Sequence, residues 1–322
     1  MTRKSPIVFL FSGQGSQYYQ MGISIFKSHP TFKKWIEYGS QFIYSRLGEN
    51  LSDIIYRDRP NRFDPPFNRT LFTHPAIFLV EYSIAMVLIE KGIAPDICMG
   101  YSIGEYCANA ISGRVRFEDC LNMLILQAQL IEKHTPEASM MAILETPDMI
   151  LRYPGLFESV TIAGINYAKH FVISGKLPLL QNILKVLKTD NIIAQILPIS
   201  HGFHSSLMDS IETEYKNYCR NITINTSTIP VLSPATKGFV SDTSYTDYFW
   251  DVTRQPAFFE ETITLLEEKE TCTYIDLGPA GTLATFTKYS INNPNTKIYI
   301  TMNQFGTDLK NIEKILLELS DY

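Results

Sequence analysis

A serine between two glycines is the residue of this chain whose type and spacing best suit covalent chemistry. The segment GYSIG at residues 100–104 has the pattern GxSxG and stands between a short apolar run and a helix-like stretch. A nucleophile elbow of this composition presents its serine, here Ser102, at the N-terminus of a helix, where it can attack an acyl carbon. The backbone N–H of Ile103 would then face the developing oxyanion. A Gly-Ser turn without chemistry is the alternative for the motif taken alone.

A serine nucleophile needs a base, and the chain contains six histidines. His201 and His204 lie in ISHGFHSSLM, where the last strand of a small domain would return to a larger one. A base there could reach across a cleft. A metal site is the alternative for the HxxH spacing, but the sequence offers no third ligand nearby. For any single histidine, a half-buried, hydrogen-bonded ring is the simpler interpretation. No histidine follows His204, which argues against a lipase-like esterase, whose base lies close to the C-terminus.

The elements that must position these residues follow an α/β pattern. An apolar run at residues 6–11 precedes the Gly-rich GQGSQ and predicts a strand followed by a loop. Pro75 is predicted to open a helix, with apolar residues at i, i+3 and i+4 spacing and Gly92 at its end. Strand and helix patterns alternate again near the C-terminus, which favours a large α/β domain.

A second unit is predicted inside this α/β domain. Between Ser139 and Ile199 the order is strand, helix, strand, strand, helix, strand. This β-α-β-β-α-β order is the split unit of a ferredoxin-like domain. We therefore predict an α/β-hydrolase-like large domain with a nucleophile elbow, formed by residues 1–136 and 203–322, and an inserted ferredoxin-like small domain at residues 137–202.

Composition excludes several classes of function. The chain has 322 residues, 45% of them apolar, and 28 basic against 33 acidic side chains, so its net charge of −5 does not favour binding to nucleic acid. Its five cysteines form no CxxC motif, so we expect reduced core thiols in a cytoplasmic enzyme and neither a disulfide framework nor a zinc cage. No stretch reaches the roughly 18 uncharged apolar residues needed to cross a bilayer. We expect no membrane association, no metal and no bound cofactor.

Four motifs together resemble a known family. FSGQGSQ, GYSIGEY, ISHGFHSSLM and DLGPAGTL occur in this order and at distances similar to those in the malonyl-CoA:acyl carrier protein transacylases of fatty-acid and polyketide synthesis. The resemblance covers almost the whole chain, including the inserted ferredoxin-like unit. It implies an acyl thioester substrate, carried on the phosphopantetheine of a carrier protein or on coenzyme A.

The same resemblance assigns roles to individual residues. It implies that Ser102 accepts the acyl group and that His204 is its base, with a backbone carbonyl instead of an acid orienting the imidazole. Gln14 and the amide of Ile103 would form the oxyanion hole. The remaining matches are pocket residues: the resemblance puts Asn166 at the cleft edge, and the HxFH segment that lines the acyl pocket corresponds to residues from His201 through Phe203 to His204.

Two departures from the family pattern affect the substrate. Tyr101 replaces the usual histidine before the nucleophile and alters the pocket beside it. Malonyl-specific members carry an arginine nine residues before a Pro-Glu step, where its guanidinium pairs with the free carboxylate. The residue at that spacing here is Gln127, which is neutral. We therefore expect poor malonyl loading, unless Gln127 points to solvent and another group meets the carboxylate.

The chain resembles the discrete acyl hydrolases of trans-acyltransferase polyketide synthases. The resemblance lies in the missing arginine and in the segments SGQGSQYYQMG, FTHPAIFLVEYS and FHSSLMDS. This implies a serine-dependent hydrolase that removes short acyl groups, such as acetyl, from acyl carrier protein domains of a polyketide synthase. Two alternatives stay open: a transferase that loads a malonyl or uncharged acyl group from coenzyme A, and a non-catalytic scaffold that docks carrier proteins. Retention of Ser102, His204 and Gln14 argues against the scaffold.

Overall fold

The computed structural model of the protein describes residues 5–57, 67–241 and 247–319. Within them the strands are β1 Ile7–Phe11, β2 Ile97–Gly100, β3 Ser139–Ile143, β4 Thr161–Tyr167, β5 His170–Gly175, β6 Ala194–Ile196, β7 Val231–Ser233, β8 Gly238–Phe239, β9 Ala257–Phe258, β10 Thr273–Asp276 and β11 Lys297–Ile300. The helices are α1 Ile23–Ser28, α2 Pro30–Leu47, α3 Leu51–Tyr56, α4 Thr70–Glu90, α5 Gly104–Ile111, α6 Phe117–His134, α7 Leu177–Thr189, α8 Glu212–Cys219, α9 Tyr248–Arg254, α10 Phe259–Glu267, α11 Thr282–Ser290 and α12 Asp308–Leu319. Two 3₁₀ segments span Pro147–Arg152 and Ser206–Ile211.

The larger sheet has the strand order β11-β10-β1-β2-β7-β8 and is parallel except for β8. Strands β1 and β2 lie at its centre and are fully buried, which explains why they read as the continuous apolar runs IVFLF and ICMG. Because the strands are parallel, the loop after β1 and the turn after β2 emerge at the same edge of the sheet. This edge brings the Gly-rich loop beside the GxSxG turn.

The smaller sheet has the order β6-β3-β5-β4-β9. Its first four strands are antiparallel and have the 4-1-3-2 arrangement of a ferredoxin-like unit, as the sequence predicts. The first of the two predicted helices is a single 3₁₀ segment, Pro147–Arg152, which Pro154 and Gly155 follow. The fifth strand, β9, comes from outside residues 137–202 and pairs in parallel with β4. This sheet therefore extends beyond the segment in which the sequence analysis placed the small domain.

Helix α4 is the central helix of the larger unit. It begins at Thr70, so the prediction that Pro75 opens it is wrong, and Pro75 lies inside its second turn. The helix is long and apolar enough to cross a membrane by length and composition alone, but 83% of its most apolar window is buried in protein. It packs against α2, α5 and α6, and its apolar composition is explained by burial on all sides.

Candidate functional site

The GxSxG segment forms a strand-to-helix turn between β2 and α5. Ser102 has a φ of 55°, in the left-handed region that a non-glycine residue seldom adopts. A Cβ on Gly100 would lie 2.2 Å from Glu105 Cα, and one on Gly104 would lie 2.1 Å from the Phe11 carbonyl oxygen. Both glycines are therefore required for backbone to approach backbone, and the serine is fixed at the start of α5.

The Ser102 hydroxyl is hydrogen-bonded to His204. Ser102 Oγ and His204 Nε2 are 2.9 Å apart, and His204 Nδ1 lies 2.7 Å from the carbonyl oxygen of Gln255. A carbonyl only accepts, so Nδ1 carries the hydrogen and Nε2 is free to accept the serine proton. The carbonyl that orients the ring belongs to Gln255, which directly follows α9.

The backbone and burial of His204 hold the ring in this orientation. Its φ is 57°, and its N–H donates to the Thr253 carbonyl at 3.1 Å. Burial lowers the pKa of His204 to about 4, while the hydrogen bond to Gln255 opposes the shift. The imidazole is thus neutral near pH 7, the state in which it can take a proton.

Gln14 and Ile103 lie beside the serine, as an oxyanion hole would need. The loop after β1 approaches the elbow so closely that a Cβ on Gly13 would lie 2.9 Å from the Tyr101 carbonyl oxygen and 3.1 Å from Ser102 Cβ. Within residues 5–57, 67–241 and 247–319, the backbone N–H groups of Gln14 and Ile103 donate to no protein group. Two unused donors therefore flank the hydroxyl, an arrangement suited to a developing oxyanion.

The Ser102 and His204 side chains open into a cleft between the two sheets. Among the described residues that line it, none is a lysine, arginine, aspartate or glutamate. The polar lining comes from the Gly-rich loop, the elbow, Asn166, Thr282 and three histidines. The apolar lining comes from the small sheet and its neighbours: Met140, Ala142, Val172, Leu197, Ile199, Phe203, Leu283 and Phe286.

Tyr101 and Asn166 connect the elbow to the small sheet. Tyr101 Oη donates to Asn166 Oδ1 at 2.8 Å, and Asn166 Nδ2 donates to His170 Nδ1 at 2.9 Å. The Tyr101 ring also packs edge-on against Phe286. Burial lowers the pKa of His170 and raises that of Tyr101, so both side chains are neutral at pH 7.

Gln127 and His201, both predicted pocket residues, do not border the cleft. Gln127 is buried, and its amide nitrogen donates to Tyr106 Oη at 3.0 Å and to Thr253 Oγ1 at 2.7 Å. It does not point to solvent. Its side chain lies close to His74, which does line the cleft, but Gln127 Oε1 has no hydrogen-bond partner among the described residues. His201 is hydrogen-bonded through Nδ1 to Thr135 Oγ1 at 3.0 Å.

Two histidines of the cleft, His74 and His170, were not singled out by the sequence analysis. His74 follows Thr73 in α4, and His170 is the first residue of β5. Neither lies in a spacing that suggests chemistry. The only sequence signal was the polar residue in the otherwise apolar segment that begins FTHPAIF, since a buried histidine on such a helix needs a partner.

Glu105 supports the elbow from the side away from the cleft. Its carboxyl oxygen Oε2 accepts a hydrogen bond from Tyr248 Oη, and the side chain is fully buried on α5. Burial raises the pKa of Glu105 to about 8. The acidic residue of the GYSIGE segment is therefore protonated at pH 7, and it supports the elbow instead of taking part in the chemistry.

Comparisons with known proteins relate this chain to acyltransferases. Residues 8–318 match the family described as acyl transferase domain. The chain is 39% identical over 311 residues to the polyketide biosynthesis acyltransferase homolog PksD of Bacillus subtilis (strain 168), covering 96% of this chain and 95% of the relative. It is 42% identical over 283 residues to the homolog BaeD of Bacillus velezensis, covering 88% and 87%. A loading acyltransferase from the avermectin modular polyketide synthase has the same fold, with a TM-score of 0.88, 23% identity and coverage of 98% and 99%.

Proposed function

Because this chain belongs to the acyl transferase domain family, we propose that it processes acyl thioesters through an acyl-Ser102 intermediate. Its outcome is hydrolysis: it removes short uncharged acyl groups, such as acetyl, from acyl carrier proteins of polyketide biosynthesis in the cytoplasm. The observation that carries this proposal is a cleft that holds the Ser102 and His204 pair and has no formally charged side chain in its described lining.

The acylation half of the reaction follows from the hydrogen bonds of His204. Nε2 takes the Ser102 proton as Oγ attacks the thioester carbonyl, and the imidazolium is stabilised by the Gln255 carbonyl. The backbone amides of Gln14 and Ile103 bind the oxyanion. The tetrahedral intermediate collapses, the C–S bond breaks, and His204 gives its proton to the departing thiolate, which leaves as the thiol.

Deacylation uses the same groups in the opposite order. His204 Nε2 takes a proton from a water molecule, the hydroxide oxygen attacks the acyl-Ser102 ester, and the proton passes to Oγ as the carboxylic acid leaves. A phosphopantetheine thiol attacking the same ester would complete a transfer instead. The family match to acyl transferase domains favours this transfer as the second candidate function.

The lining of the cleft supports an uncharged acyl group. A carboxylate brought into a site without a counter-charge loses its hydration, and an unpaired buried charge typically costs ~3–5 kcal/mol. At about 1.4 kcal/mol per factor of ten, malonyl should be disfavoured relative to acetyl by roughly two to three orders of magnitude. The neutral forms of His74, His170 and His204 supply no cation near pH 7.

The test compares acetyl and malonyl groups on one phosphopantetheinylated carrier protein. Free acid, remaining acyl-carrier protein and the mass of acyl-Ser102 are followed by mass spectrometry, with Ser102→Ala as the background. We expect acetate release with kcat/KM at least about a hundredfold above that for malonate release. Malonyl processed as well as acetyl would overturn the uncharged-substrate assignment, and stable acyl transfer from coenzyme A without free acid would favour the second candidate.

A pair of variants at position 127 separates charge from packing. Gln127→Arg adds a cation next to His74, so we expect the malonyl-to-acetyl ratio of kcat/KM to rise. The gain should be smaller than for direct pairing because Gln127 itself does not border the cleft. Gln127→Met has similar length and no charge, so it should leave that ratio unchanged while losing the bonds to Tyr106 and Thr253. Equal ratios in both variants would remove charge at position 127 from the explanation.

A further inference from the structure

We infer that His74 and Thr73 are positioning residues for the oxyanion hole, because they hold the Gln14 side chain and so fix the direction of its backbone amide. The inference rests on the proposed function, in which that amide binds the oxyanion. It assigns a role to His74, which lines the cleft but is not part of the Ser102 and His204 pair.

The oxygen and the nitrogen of the Gln14 side-chain amide are each hydrogen-bonded to one of two adjacent residues of α4. His74 Nε2 lies 3.0 Å from Gln14 Oε1, and Gln14 Nε2 donates to Thr73 Oγ1 at 3.2 Å. An amide bound at both its oxygen and its nitrogen cannot rotate without losing one bond. Since Gln14 follows Gly13 in the loop that contacts Ser102, anchoring its side chain also restrains the peptide plane beside the nucleophile.

The orientation of the Gln14 amide sets the tautomer of His74. In the orientation in which Gln14 Nε2 donates to Thr73, Gln14 Oε1 faces His74 and the imidazole carries its hydrogen on Nε2. His74 Nδ1 is buried and, within the described residues, has no hydrogen-bond partner. Burial, with a smaller contribution from His201, lowers the pKa of His74 to about 3, against an opposing effect of Gln127. The ring is therefore neutral across the pH range of an ordinary enzyme.

A purely structural side chain is a poor explanation for this position. An apolar residue at position 74 would pack against the neighbours of α4 without burying a nitrogen that lacks a hydrogen-bond partner, and burying such a nitrogen is unfavourable. The same helix holds the same loop at a second point, where the Ser12 N–H and Oγ both bond to Glu81 Oε1 at 2.7 and 2.6 Å. Helix α4 therefore fixes the loop after β1 on both sides of Gly13.

The experiment measures the reactivity of Ser102 without a carrier-protein substrate. An alkyl fluorophosphonate forms a tetrahedral adduct with the serine and requires the oxyanion hole, so its second-order rate of inactivation reports the hole directly. The variants are His74→Phe, which keeps a ring but loses the donor, and Thr73→Val, which keeps the shape but loses the hydroxyl. Thr70→Val is the matched control, because Thr70 Oγ1 is equally buried on α4 and, among the described residues, has no partner.

We expect His74→Phe to slow inactivation by about tenfold or more, a part of the ~10²–10³-fold loss when an oxyanion donor is removed. Thr73→Val should have a smaller effect of the same kind, and Thr70→Val none. In kinetics with acyl-carrier protein, the loss should appear in kcat with KM little changed. An unchanged inactivation rate in folded His74→Phe would overturn the inference.

A double-mutant cycle distinguishes positioning from general damage. If His74 acts through the side chain of Gln14, His74→Phe should add little once Gln14→Leu has removed that side chain. Additive losses in the double variant would contradict the inference. Failure of the proposed function has a different signature: native protein that reacts with the fluorophosphonate at Ser102 but cleaves no acyl-carrier protein would refute hydrolysis and leave the positioning role standing.

Discussion

Ser102 should stay reactive at a pH where an ordinary serine and histidine pair is inactive. His204 is only 3% exposed, and burial lowers its pKa from 6.5 to about 4. At pH 5 a base with a pKa of 6.5 is only about 3% neutral, whereas one with a pKa near 4 is about 90% neutral. The neutral fraction of the base at pH 5 is therefore about thirtyfold larger than for an unperturbed histidine, so the rate should fall far less between pH 7 and pH 5.

The assay is the rate of Ser102 modification by an alkyl fluorophosphonate between about pH 3 and pH 8 at constant ionic strength. Its midpoint should lie near pH 4, since the pH dependence of kcat/KM and of inactivation reports the free enzyme. A midpoint near 6.5 would show that His204 titrates like a solvent-exposed histidine and would refute the reasoning from burial.

Folding stability must be measured over the same pH range. A histidine that is neutral when folded takes up a proton on unfolding below pH 6.5, so His204 contributes stability that is lost as pH falls from about 6.5 to 4. The loss is about 3 kcal/mol at ~1.4 kcal/mol per pKa unit. Far-UV circular dichroism at each pH therefore has to show folded protein before a loss of rate is assigned to the base.

Three further predictions concern the Ser102 and His204 pair, the bond from Tyr101 to Asn166, and the buried Glu105. Ser102→Ala should abolish both turnover and the covalent adduct in mass spectra, and normal turnover would end the covalent mechanism; His204→Ala should lower kcat/KM by ~10²–10⁴-fold, and normal turnover there would refute His204 as the base. Tyr101→Phe leaves Asn166 Oδ1 without its donor, so the free energy of unfolding in urea should fall by about 1–3 kcal/mol, and an unchanged value would show that this bond is not made in solution. Glu105 has a raised pKa, so the stability it contributes is lost as pH rises from 4.5 through about 8; the melting temperature of Glu105→Gln should fall less between pH 6 and 9 than that of the native protein, and equal falls would refute a buried neutral carboxyl.

The elbow and the split ferredoxin-like unit could be predicted because their signals are local. Gly100 and Gly104 are required by contacts within a few residues of Ser102 or with the adjacent strand, and strand periodicity identified β3 to β6. The residues that orient the base could not be found this way. The carbonyl of Gln255 is a backbone atom, so its identity is set by the path of the chain after α9 and has no signature in residue type.

Spacing did not show which of two packed helices reaches the cleft. Counting back from Pro136 placed Gln127 in the pocket, but α6 turns that side chain toward Tyr106 and Thr253. The neighbouring helix α4 presents His74 instead. A count along one helix fixes the rotation of a residue about that helix and gives no information about which of two packed helices lies nearer the substrate.

The short strand β9 gives the catalytic base a mechanical link to both sheets. Gln255, whose carbonyl accepts from His204, stands two residues before β9, which pairs with β4 of the small sheet. The N–H of Phe258 in the same strand donates to the Pro234 carbonyl, just after β7 of the large sheet. A displacement of the small sheet that widened the cleft would pull on the segment that aligns the imidazole. The width of the cleft and the alignment of the base are therefore coupled. A substrate or carrier protein that held the sheets apart would also move the Gln255 carbonyl and so misalign the His204 imidazole.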